Sequence, residues 1–307
     1  LSETLSWRTG KHNLRFGGDY RRVHHDFLGG SNATGTFTFT GLYTGSSFGD
    51  FLSGLPQATS INAAVDKSYL RENVYDLYAQ DDWRARSNLT LMIGIRYEFF
   101  APFTEKFNHL ANVATNPADN FSNLSEITAG TSGSPLPDSL VYPFRIGFQP
   151  RLGFALRLPH QTVLRAGYGI NFTNGQYSAF ATTMAHQPPF ANEQSNSSRK
   201  DCSNPAMDCF SFVNGFPLPA TIGNYALDPH YRLPMVQIWN VDVQKTLPWG
   251  IVMNAGYNAS YGNNLDITIA PRASMSSPNT NPGDVLFNYE KSSAFSRFHA
   301  GTLRLNK

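Results

Sequence analysis

Hydrophobic and polar residues alternate most clearly between Tyr75 and Phe100. In the second half of this stretch every other residue is apolar or aromatic, and the intervening set carries two charges and a glycine: Leu89, Leu91, Ile93, Ile95, Tyr97 and Phe99 against Thr90, Met92, Gly94, Arg96 and Glu98. A period of two is typical of a β-strand, because successive side chains leave opposite faces. About 10 residues of such alternation, ending in aromatics, fit a tilted strand that spans a membrane.

Similar alternation recurs along the whole chain and predicts roughly nine principal strands. Two of them form the hairpin in Tyr75–Phe100, and the others are expected at Leu1–Arg8, Asn13–Val23, Arg145–Leu158, Leu164–Phe172, Val236–Leu247, Ile251–Ser260 and in a last strand that ends at Lys307. The stretch Ser47–Leu55, which precedes Pro56, is predicted to form a short helix.

The connections between these strands are alternately short and long. Four long segments follow the hairpins: His24–Lys67, Phe103–Tyr142, Thr173–Leu233 and Tyr261–Phe295. Transmembrane barrels show this asymmetry, with short periplasmic turns and longer extracellular loops. We therefore expect an all-β fold, an antiparallel transmembrane β-barrel. Because a bacterial single-chain barrel closes with an even number of strands, about nine strands indicate a partial barrel.

The composition agrees with a membrane barrel and narrows the alternatives. Charged residues make up 15% of the 307 residues, well below the usual quarter, whereas aromatic residues make up 13%. A net charge of +2 does not indicate the strongly basic surface that nucleic-acid binding requires. The chain begins and ends in strand-like sequence, so both ends are interpreted as cut from a longer protein.

Several motifs resemble TonB-dependent outer-membrane receptors, and most of all the large Oar-like receptors. The first is Tyr78-Ala79-Gln80-Asp81-Asp82-Trp83 followed by Gly94-Ile95-Arg96-Tyr97-Glu98, which is similar to a barrel hairpin of that family. Two more pairs of motifs resemble further hairpins of that family: Pro150-Arg151-Leu152-Gly153-Phe154 with Arg165-Ala166-Gly167-Tyr168-Gly169, and Trp239-Asn240-Val241-Asp242-Val243-Gln244 with Leu247-Pro248-Trp249. A loop segment of the family is similar to Phe48-Gly49-Asp50-Phe51-Leu52-Ser53-Gly54-Leu55-Pro56.

The resemblance implies a function and a set of partners. Residues 1–307 would be the partial barrel domain of a receptor whose plug domain and remaining strands are absent from this sequence. Such a receptor lies in the bacterial outer membrane, contacts its lipid, and imports a scarce ligand with energy that the TonB complex delivers through the missing N-terminal region. The ligand would be a glycan, a peptide, a protein or a metal chelate.

Two other classes of function stay open at this point. A passive porin or an adhesin-type barrel shares the strand pattern but needs no plug domain. A soluble β-sandwich with lectin-like binding also alternates along its strands, and it would need no detergent for extraction.

Seven charged residues share the polar face of the predicted strands and are candidates for the barrel lumen: Arg15, Asp19, Arg96, Glu98, Arg151, Arg157 and Arg165. The alternative to a substrate or plug contact is an inner wall of mutually paired charges, because a barrel lining is polar in any case. The four tryptophans, Trp7, Trp83, Trp239 and Trp249, are expected near turns, at the level of the lipid headgroups.

Ligand capture is expected on the long segments, because binding residues usually sit on loops carried by a rigid scaffold. These segments are rich in Asn, Ser, Gly and Pro, which suits adaptable contacts better than a packed core. The candidates lie in Thr173–Leu233, which with His24–Lys67 is expected to bind ligand: Tyr177, Phe180, Phe190, Phe210, Phe212 and Phe216. The alternative is that these aromatics only pack the loops against each other.

The two cysteines, Cys202 and Cys209, enclose a short polar segment, and in an oxidising envelope this spacing suits a local disulfide rather than two free thiols.

No cofactor motif, metal-ligand spacing or nucleophile with its base is present, so we expect neither an enzyme nor a bound cofactor. His24 and His25 are adjacent on a predicted strand and point to opposite faces, which argues against a shared metal ion.

Overall fold

The computed structural model describes residues 1–28, 32–64, 67–114, 124–197, 210–213, 215–216, 225–269, 272–274, 284–286 and 288–307. Its elements, in chain order, are β1 (Ser2–Thr9), β2 (His12–Phe27), β3 (Asn32–Thr38), α1 (Ser47–Leu52), β4 (Ala58–Ala64), β5 (Ser68–Arg86), β6 (Leu89–Phe100), β7 (Thr104–Glu105), β8 (Ala111–Ala114), β9 (Ser125–Thr128), β10 (Phe148–Leu158), β11 (Thr162–Phe172), α2 (Tyr177–Ala185), β12 (Ala191–Ser197), β13 (Tyr225–Leu227), β14 (Met235–Thr246), β15 (Val252–Ile269), β16 (Arg272–Ser274), β17 (Asp284–Leu286) and β18 (Asn288–Asn306). No helix among the described residues has both the length and the apolar character needed to cross a membrane.

One antiparallel sheet organises the molecule. Its nine principal strands follow each other in chain order, as β1-β2-β5-β6-β10-β11-β14-β15-β18, and the short strands β13 and β7 are added at the edge of β18 and on β5. The predicted all-β fold of about nine principal strands is therefore confirmed. The helix expected at Ser47–Leu55 is also present, although it ends at Leu52.

The sheet is open in the described part of the chain, where β1 and β18 pair with β2 and β15 but not with each other. Successive strands alternate in direction, so the first and the ninth run the same way. These two edge strands cannot complete an antiparallel barrel by pairing directly, and closure needs an odd number of further strands. The fold is that of a partial barrel.

The register divides the sheet into two faces. Residues directly opposite each other on neighbouring strands share a face, so Ile93 lies beside Leu152, and Met92 lies beside Gly153. The apolar face carries Leu91, Ile93 and Ile95 with their cross-strand neighbours. The polar face carries Met92, Arg96 and Glu98 with theirs.

Aromatic residues on the apolar face form two belts. Near the short connections, Trp83 stacks on His12 at 5.4 Å between ring centroids. Further along the same strand Tyr75 packs against Tyr20 at 5.2 Å and against Phe99 at 6.2 Å. Trp83 and Tyr75 are eight positions apart, which is about 26 Å along a strand and roughly 20 Å along the membrane normal at a tilt near 40°. This separation approaches the height of the apolar band of a membrane barrel.

One expectation about tryptophan is corrected. Trp7, Trp83 and Trp249 do lie beside the short connections, but Trp239 lies inside β14, where it faces Tyr168 on the apolar side. It therefore lies away from the short-connection belt.

The buried core is the main difference from the sequence prediction. It lies where the long segments fold over the polar face, and it joins Leu70 and Val74 of β5 to residues of the second and third long segments, including Leu110, Tyr177 and Leu233. We call these packed long segments the loop layer. Their polar composition predicted adaptable loops without a core, which is wrong, because the few apolar residues in them are gathered into one cluster.

Several strands also extend beyond the predicted bounds. β2 continues to Phe27, β15 to Ile269, and β18 begins at Asn288, within segments that were expected to be loops. About 9–11 residues suffice to cross the membrane. The parts of these strands beyond the second aromatic belt therefore lie outside the membrane, on the side of the loop layer.

The assignment of faces gives the first prediction. Ile93 and Met92 are adjacent and similarly exposed, at 50% and 43%, but they lie on opposite faces. Arginine in place of Ile93 puts a charge into the hydrocarbon layer and should destabilise the barrel by about 2–4 kcal/mol, whereas Met92→Arg should be mild. Denaturant unfolding of the full-length protein in lipid vesicles measures both. Equal destabilisation by the two substitutions would contradict the assignment.

Candidate functional site

The seven charged residues predicted for the lumen all lie on the polar face of the sheet. Most of them are paired with neighbours. Arg15 binds Asp82 at 2.7 Å, Arg165 binds Asp242 at 3.3 Å, and Arg151 donates to Asn171 at 3.2 Å. Arg157 is exposed at the short-connection end. The pairing agrees with the simpler alternative of a self-paired polar wall, and a role in ligand or plug contact stays a prediction.

Three carboxylates are adjacent on this face, one on each of three strands. Asp19 of β2 faces Asp76 of β5, which faces Glu98 of β6. Like charges directly opposite each other are destabilising. Arg96 offsets the repulsion because it binds both Asp76 and Glu98, and Arg21 binds Asp19 at 2.8 Å. Asp76 is only 3% exposed, so it depends strongly on Arg96.

This dependence gives the second prediction. Arg96→Met leaves three adjacent carboxylates with one arginine, and it should destabilise the barrel by about 1–3 kcal/mol, below the value for a fully buried pair because Arg96 is partly exposed. Arg151→Met is the matched control, since that arginine is exposed and, within the described part of the chain, donates to the Asn171 amide and pairs with no carboxylate. Thermal unfolding of the full-length protein measures both. Similar midpoints for the two variants would show that the carboxylate row does not need Arg96.

The first and third long segments are joined by a small sheet. β4 pairs with β3 of its own segment and with β12 of the third segment, in the order β12-β4-β3. The Thr59 hydroxyl donates to the carbonyl of Gly215 at 2.5 Å. The two segments predicted to bind ligand thus form one surface.

An exposed cluster of rings covers the end of this surface, and we call it the aromatic patch. Phe212 is at its centre, with ring centroids 5.2 Å from Phe37, 5.8 Å from Phe39 and 6.1 Å from Phe51. Its members are Phe37, Phe39, Phe48, Phe51, Phe212 and Phe216. Three of them are strongly exposed: Phe48 at 65%, Phe51 at 49% and Phe212 at 51%.

A buried carboxylate fixes the helix that carries two of these rings. Asp50 of α1 is fully buried, and it accepts hydrogen bonds from the backbone N–H and the hydroxyl of Thr44, both at 2.8 Å. Ser46 caps the helix by accepting from Gly49 at 3.4 Å. The hydrogen bonds from Thr44 fix the side of α1 that carries Asp50 against the protein, so Phe48 and Phe51 are left exposed to solvent.

The six residues predicted to contact the ligand lie in different surroundings in the structure. Phe212 and Phe216 belong to the aromatic patch, and Phe190 stacks on His109 at 4.7 Å. Phe210 is half-buried. Tyr177 and Phe180 are 3% and 4% exposed inside the core of the loop layer, so they are corrected from contact residues to packing residues.

Sequence reasoning missed the rings of the first segment. Thr36-Phe37-Thr38-Phe39-Thr40 shows the alternation of a strand, which places both phenylalanines on one face. Phe48 and Phe51 are three positions apart in a predicted helix and therefore share a side. These local patterns predict that the two rings of each pair share a side. They do not predict the contact with Phe212, which is far away in the sequence.

Two buried carboxamides hold the loop layer together. Asn112 donates to the carbonyl of Leu227 at 2.9 Å and accepts from its N–H at 2.9 Å, so it pairs with the backbone of β13 as a strand would. Gln187, fully buried, donates to the carbonyl of Ala111 at 2.6 Å and accepts from the N–H of Tyr225. Within the described ranges no group of three or more His, Cys, Asp or Glu side chains is placed to hold a metal.

The family model of the outer membrane beta barrel domain matches residues 1–307. The chain belongs to this family. The nine-stranded sheet with its apolar face is thus part of a barrel in the bacterial outer membrane. No curated protein matches the chain.

Solved structures with a similar fold are much longer than this outer membrane barrel domain. The chain is similar to the outer membrane transporter YddB from Escherichia coli, with a TM-score of 0.51 and 12% identity, over 98% of this chain and 30% of that one. It is also similar to the FrpB iron transporter from Neisseria meningitidis, at 9% identity and a TM-score of 0.45, over 98% and 32% of the two chains. The likeness to YddB shows the fold alone, and the domain spans about a third of the length of each of these two structures.

The predicted disulfide lies outside the described residues, since both Cys202 and Cys209 do. It stays a prediction. Mass spectrometry of unreduced peptides from the outer membrane should show the two cysteines linked. Two thiols that can be alkylated in the same preparation would contradict it.

Proposed function

We propose that residues 1–307 are the partial barrel of a TonB-dependent, Oar-like receptor that captures and imports a ligand and catalyses no reaction. In this proposal the plug domain and the remaining strands lie elsewhere in the full-length protein, and TonB acts through the N-terminal region. The open sheet, which needs further strands to close, supports a partial barrel. The fold shared with an outer membrane transporter over a third of its length supports the same assignment.

The observation that carries the proposal is the loop layer over the polar face. Along β5 this face is buried by the long segments, with Leu70 and Val74 at 0% and 1% exposed and Glu72 at 4%. The Asn174 amide donates to Glu72 at 3.0 Å and ties the third segment to the wall. A passive porin needs a water-filled passage along this face, whereas a receptor presents folded loops to its ligand. The packed layer therefore favours the receptor.

The aromatic patch is the proposed capture surface. Exposed, rigid rings bind partners at a low cost in conformational entropy. The charged residue of α1, Asp50, is buried, so the helix offers rings and no charge to a ligand. This chemistry suits a ligand with apolar or ring-shaped surface, such as a glycan, a peptide or a protein, better than an anionic metal chelate.

Point substitutions test the patch more cleanly than deletion of the third segment, because that segment contributes α2 and β13 to the core. The double substitution Phe48→Ala with Phe212→Ala removes two exposed rings and should weaken binding at least about tenfold, close to 1.4 kcal/mol. Binding is measured by surface plasmon resonance on the full-length protein, against a panel of oligosaccharides, short peptides and ferric chelates.

The matched control is Phe107→Ala, which removes a ring that is 55% exposed in the second segment and outside the patch. This control should bind the same probes as the unsubstituted protein, and all variants should keep the heat-modifiable migration of an assembled barrel. If the double variant assembles and binds every probe unchanged, the patch is not the capture surface. Import that persists without TonB would argue instead for a passive barrel.

A further inference from the structure

An open groove lies on the apolar face of the sheet, on the membrane side of the second aromatic belt. Its volume is about 720 Å³, within the range of small-molecule sites. The surface is recessed there because Gly18 has no side chain and Ala79 has only a methyl group. Larger side chains form the walls: Leu5, Phe16, Leu77, Ile95, Tyr97 and Phe148. Among the described residues that line the groove, only Glu3, on the edge strand β1, carries a charge.

Four basic residues lie on the same face of the sheet, on the other side of that belt. Arg22 is two positions beyond Tyr20 on β2, so its side chain leaves from the face that carries this belt residue. The other three surround the ring of Tyr69 on β5, at 4.9 Å from the Lys67 ammonium, 5.8 Å from the Arg71 guanidinium and 5.8 Å from the Lys106 ammonium to the ring centroid. We call the four residues the basic cluster: Arg22, Lys67, Arg71 and Lys106.

Carboxylates of the protein leave most of this positive charge unbalanced. Asp26, which lies opposite Tyr69, binds Arg71 at 2.6 Å. Within the described part of the chain the other three members of the cluster form no ion pair. Glu105 is close in the fold but lies on the buried side, opposite Leu70, where its carboxylate accepts hydrogen bonds from three backbone N–H groups. The cluster is therefore free to bind an external anion.

The depths of the groove and the cluster match the two parts of a membrane lipid. Arg22 is two positions beyond Tyr20, and Arg71 is four positions beyond Tyr75. These separations are roughly 7 and 13 Å along a strand, or about 5 and 10 Å along the membrane normal at a tilt near 40°. The headgroup layer extends about 5–8 Å beyond the hydrocarbon, and long arginine side chains bend toward such a polar layer. Both arginines therefore reach the headgroups, while the groove lies within the hydrocarbon.

We propose that this face of β2 and β5 binds an anionic membrane lipid, with a phosphate on the basic cluster and an acyl chain in the groove. The lipid belongs to the leaflet on the side of the loop layer. Guanidinium groups bind phosphate through paired hydrogen bonds, and basic residues at this depth attract anionic lipids. Because the groove lies in hydrocarbon, its occupant is apolar. Because the cluster lies at the edge of the hydrocarbon on the same strands, one molecule with a charged head and an apolar chain fits both.

The two parts of the site contribute differently to recognition. A zwitterionic lipid fills the groove equally well but gains little from the basic cluster, so the cluster decides which headgroup is preferred. The groove decides how tightly any lipid is held at this place. The groove is lined by residues of β1, β2, β5, β6 and β10, so a bound chain packs against five neighbouring strands. The inference rests on the location of the barrel in a membrane and is independent of the ligand that the receptor carries.

Native mass spectrometry of the full-length protein, delipidated in detergent, tests both parts. Dioleoylphosphatidylglycerol, which is anionic, and dioleoylphosphatidylethanolamine, which is zwitterionic, are titrated separately. Each basic residue near an anionic lipid contributes about fivefold, so the two arginines should give the anionic lipid a preference of roughly 25-fold. The double substitution Arg22→Gln with Arg71→Gln should abolish that preference. Ala79→Phe fills the groove and should weaken binding of both lipids at least about fivefold, with their ratio unchanged.

Each substitution has a matched control on the same face of the sheet. Arg297→Gln removes an exposed arginine of β18, which lies over the ring of Tyr261 at 5.6 Å and far from the cluster. Ala166→Phe enlarges an alanine of β11 that faces Val241 outside the groove. Both control variants should bind the two lipids like the unsubstituted protein, and all variants should keep the heat-modifiable migration of an assembled barrel.

Three results would overturn the proposal. The first is an unsubstituted protein that binds the anionic lipid no more tightly than the zwitterionic one. The second is a preference that survives in the double arginine variant or is lost equally in Arg297→Gln. The third is lipid binding that Ala79→Phe leaves unchanged or weakens no more than Ala166→Phe does. The unsubstituted protein alone decides the first result, so a variant that fails to assemble does not rescue the proposal.

Discussion

A chain that crosses the hydrocarbon layer as strands must pair every backbone N–H and C=O, and this requirement organises the whole structure. The antiparallel meander from β1 to β18 meets it between the strands, where each neighbour in sequence is also the neighbour in the sheet. At the edges the requirement is unmet, because β1 and β18 run in the same direction and cannot pair as antiparallel neighbours. The need for an odd number of further strands follows from backbone hydrogen bonding alone.

The paired strands present a polar face to the interior of the barrel, and the long segments pack against that face. Arg96 and Arg21 neutralise most of a row of three carboxylates, and the loop layer covers the upper part of the face. The layer is packed through Leu70 and Val74, and the carboxamides of Asn112 and Gln187 satisfy backbone groups within it. A rigid layer of this kind holds the aromatic patch in a fixed shape, as a capture surface requires.

The strands were predictable from sequence because their signal is local. Alternation along β6 and β10 follows from one face in lipid and one face in a polar interior, and it places Ile93 and Leu152 correctly. The helix α2 was missed although its signal is local too: its buried residues, Tyr177, Phe180, Ala181, Met184 and Ala185, follow the spacing of an apolar helical stripe. Asn112 with Leu227, and Phe37 with Phe212, were not predictable, because each contact joins segments more than a hundred residues apart.

Strand parity correctly predicted that the seven charged candidates share one face of the sheet, whereas the exposure of the loop candidates was predicted only in part. The seven charged residues share one face because parity fixes their direction. Tyr177 and Phe180 look like Phe212 in sequence, yet the first two are buried and the third is exposed. The difference arises because Tyr177 and Phe180 belong to the apolar stripe of α2, which packs into the core of the loop layer, whereas Phe212 lies outside that stripe.

The central claim is that the apolar face of the nine strands meets lipid and the polar face lines the interior. Nitroxide spin labels placed in turn at each position from Arg151 to Leu158, in the full-length protein in lipid vesicles, test it most directly. The account predicts that accessibility to oxygen, which partitions into lipid, peaks at Leu152, Phe154 and Leu156 and falls at the positions between them. Accessibility that peaks at Arg151, Gly153 and Ala155, or that shows no period of two, would contradict it.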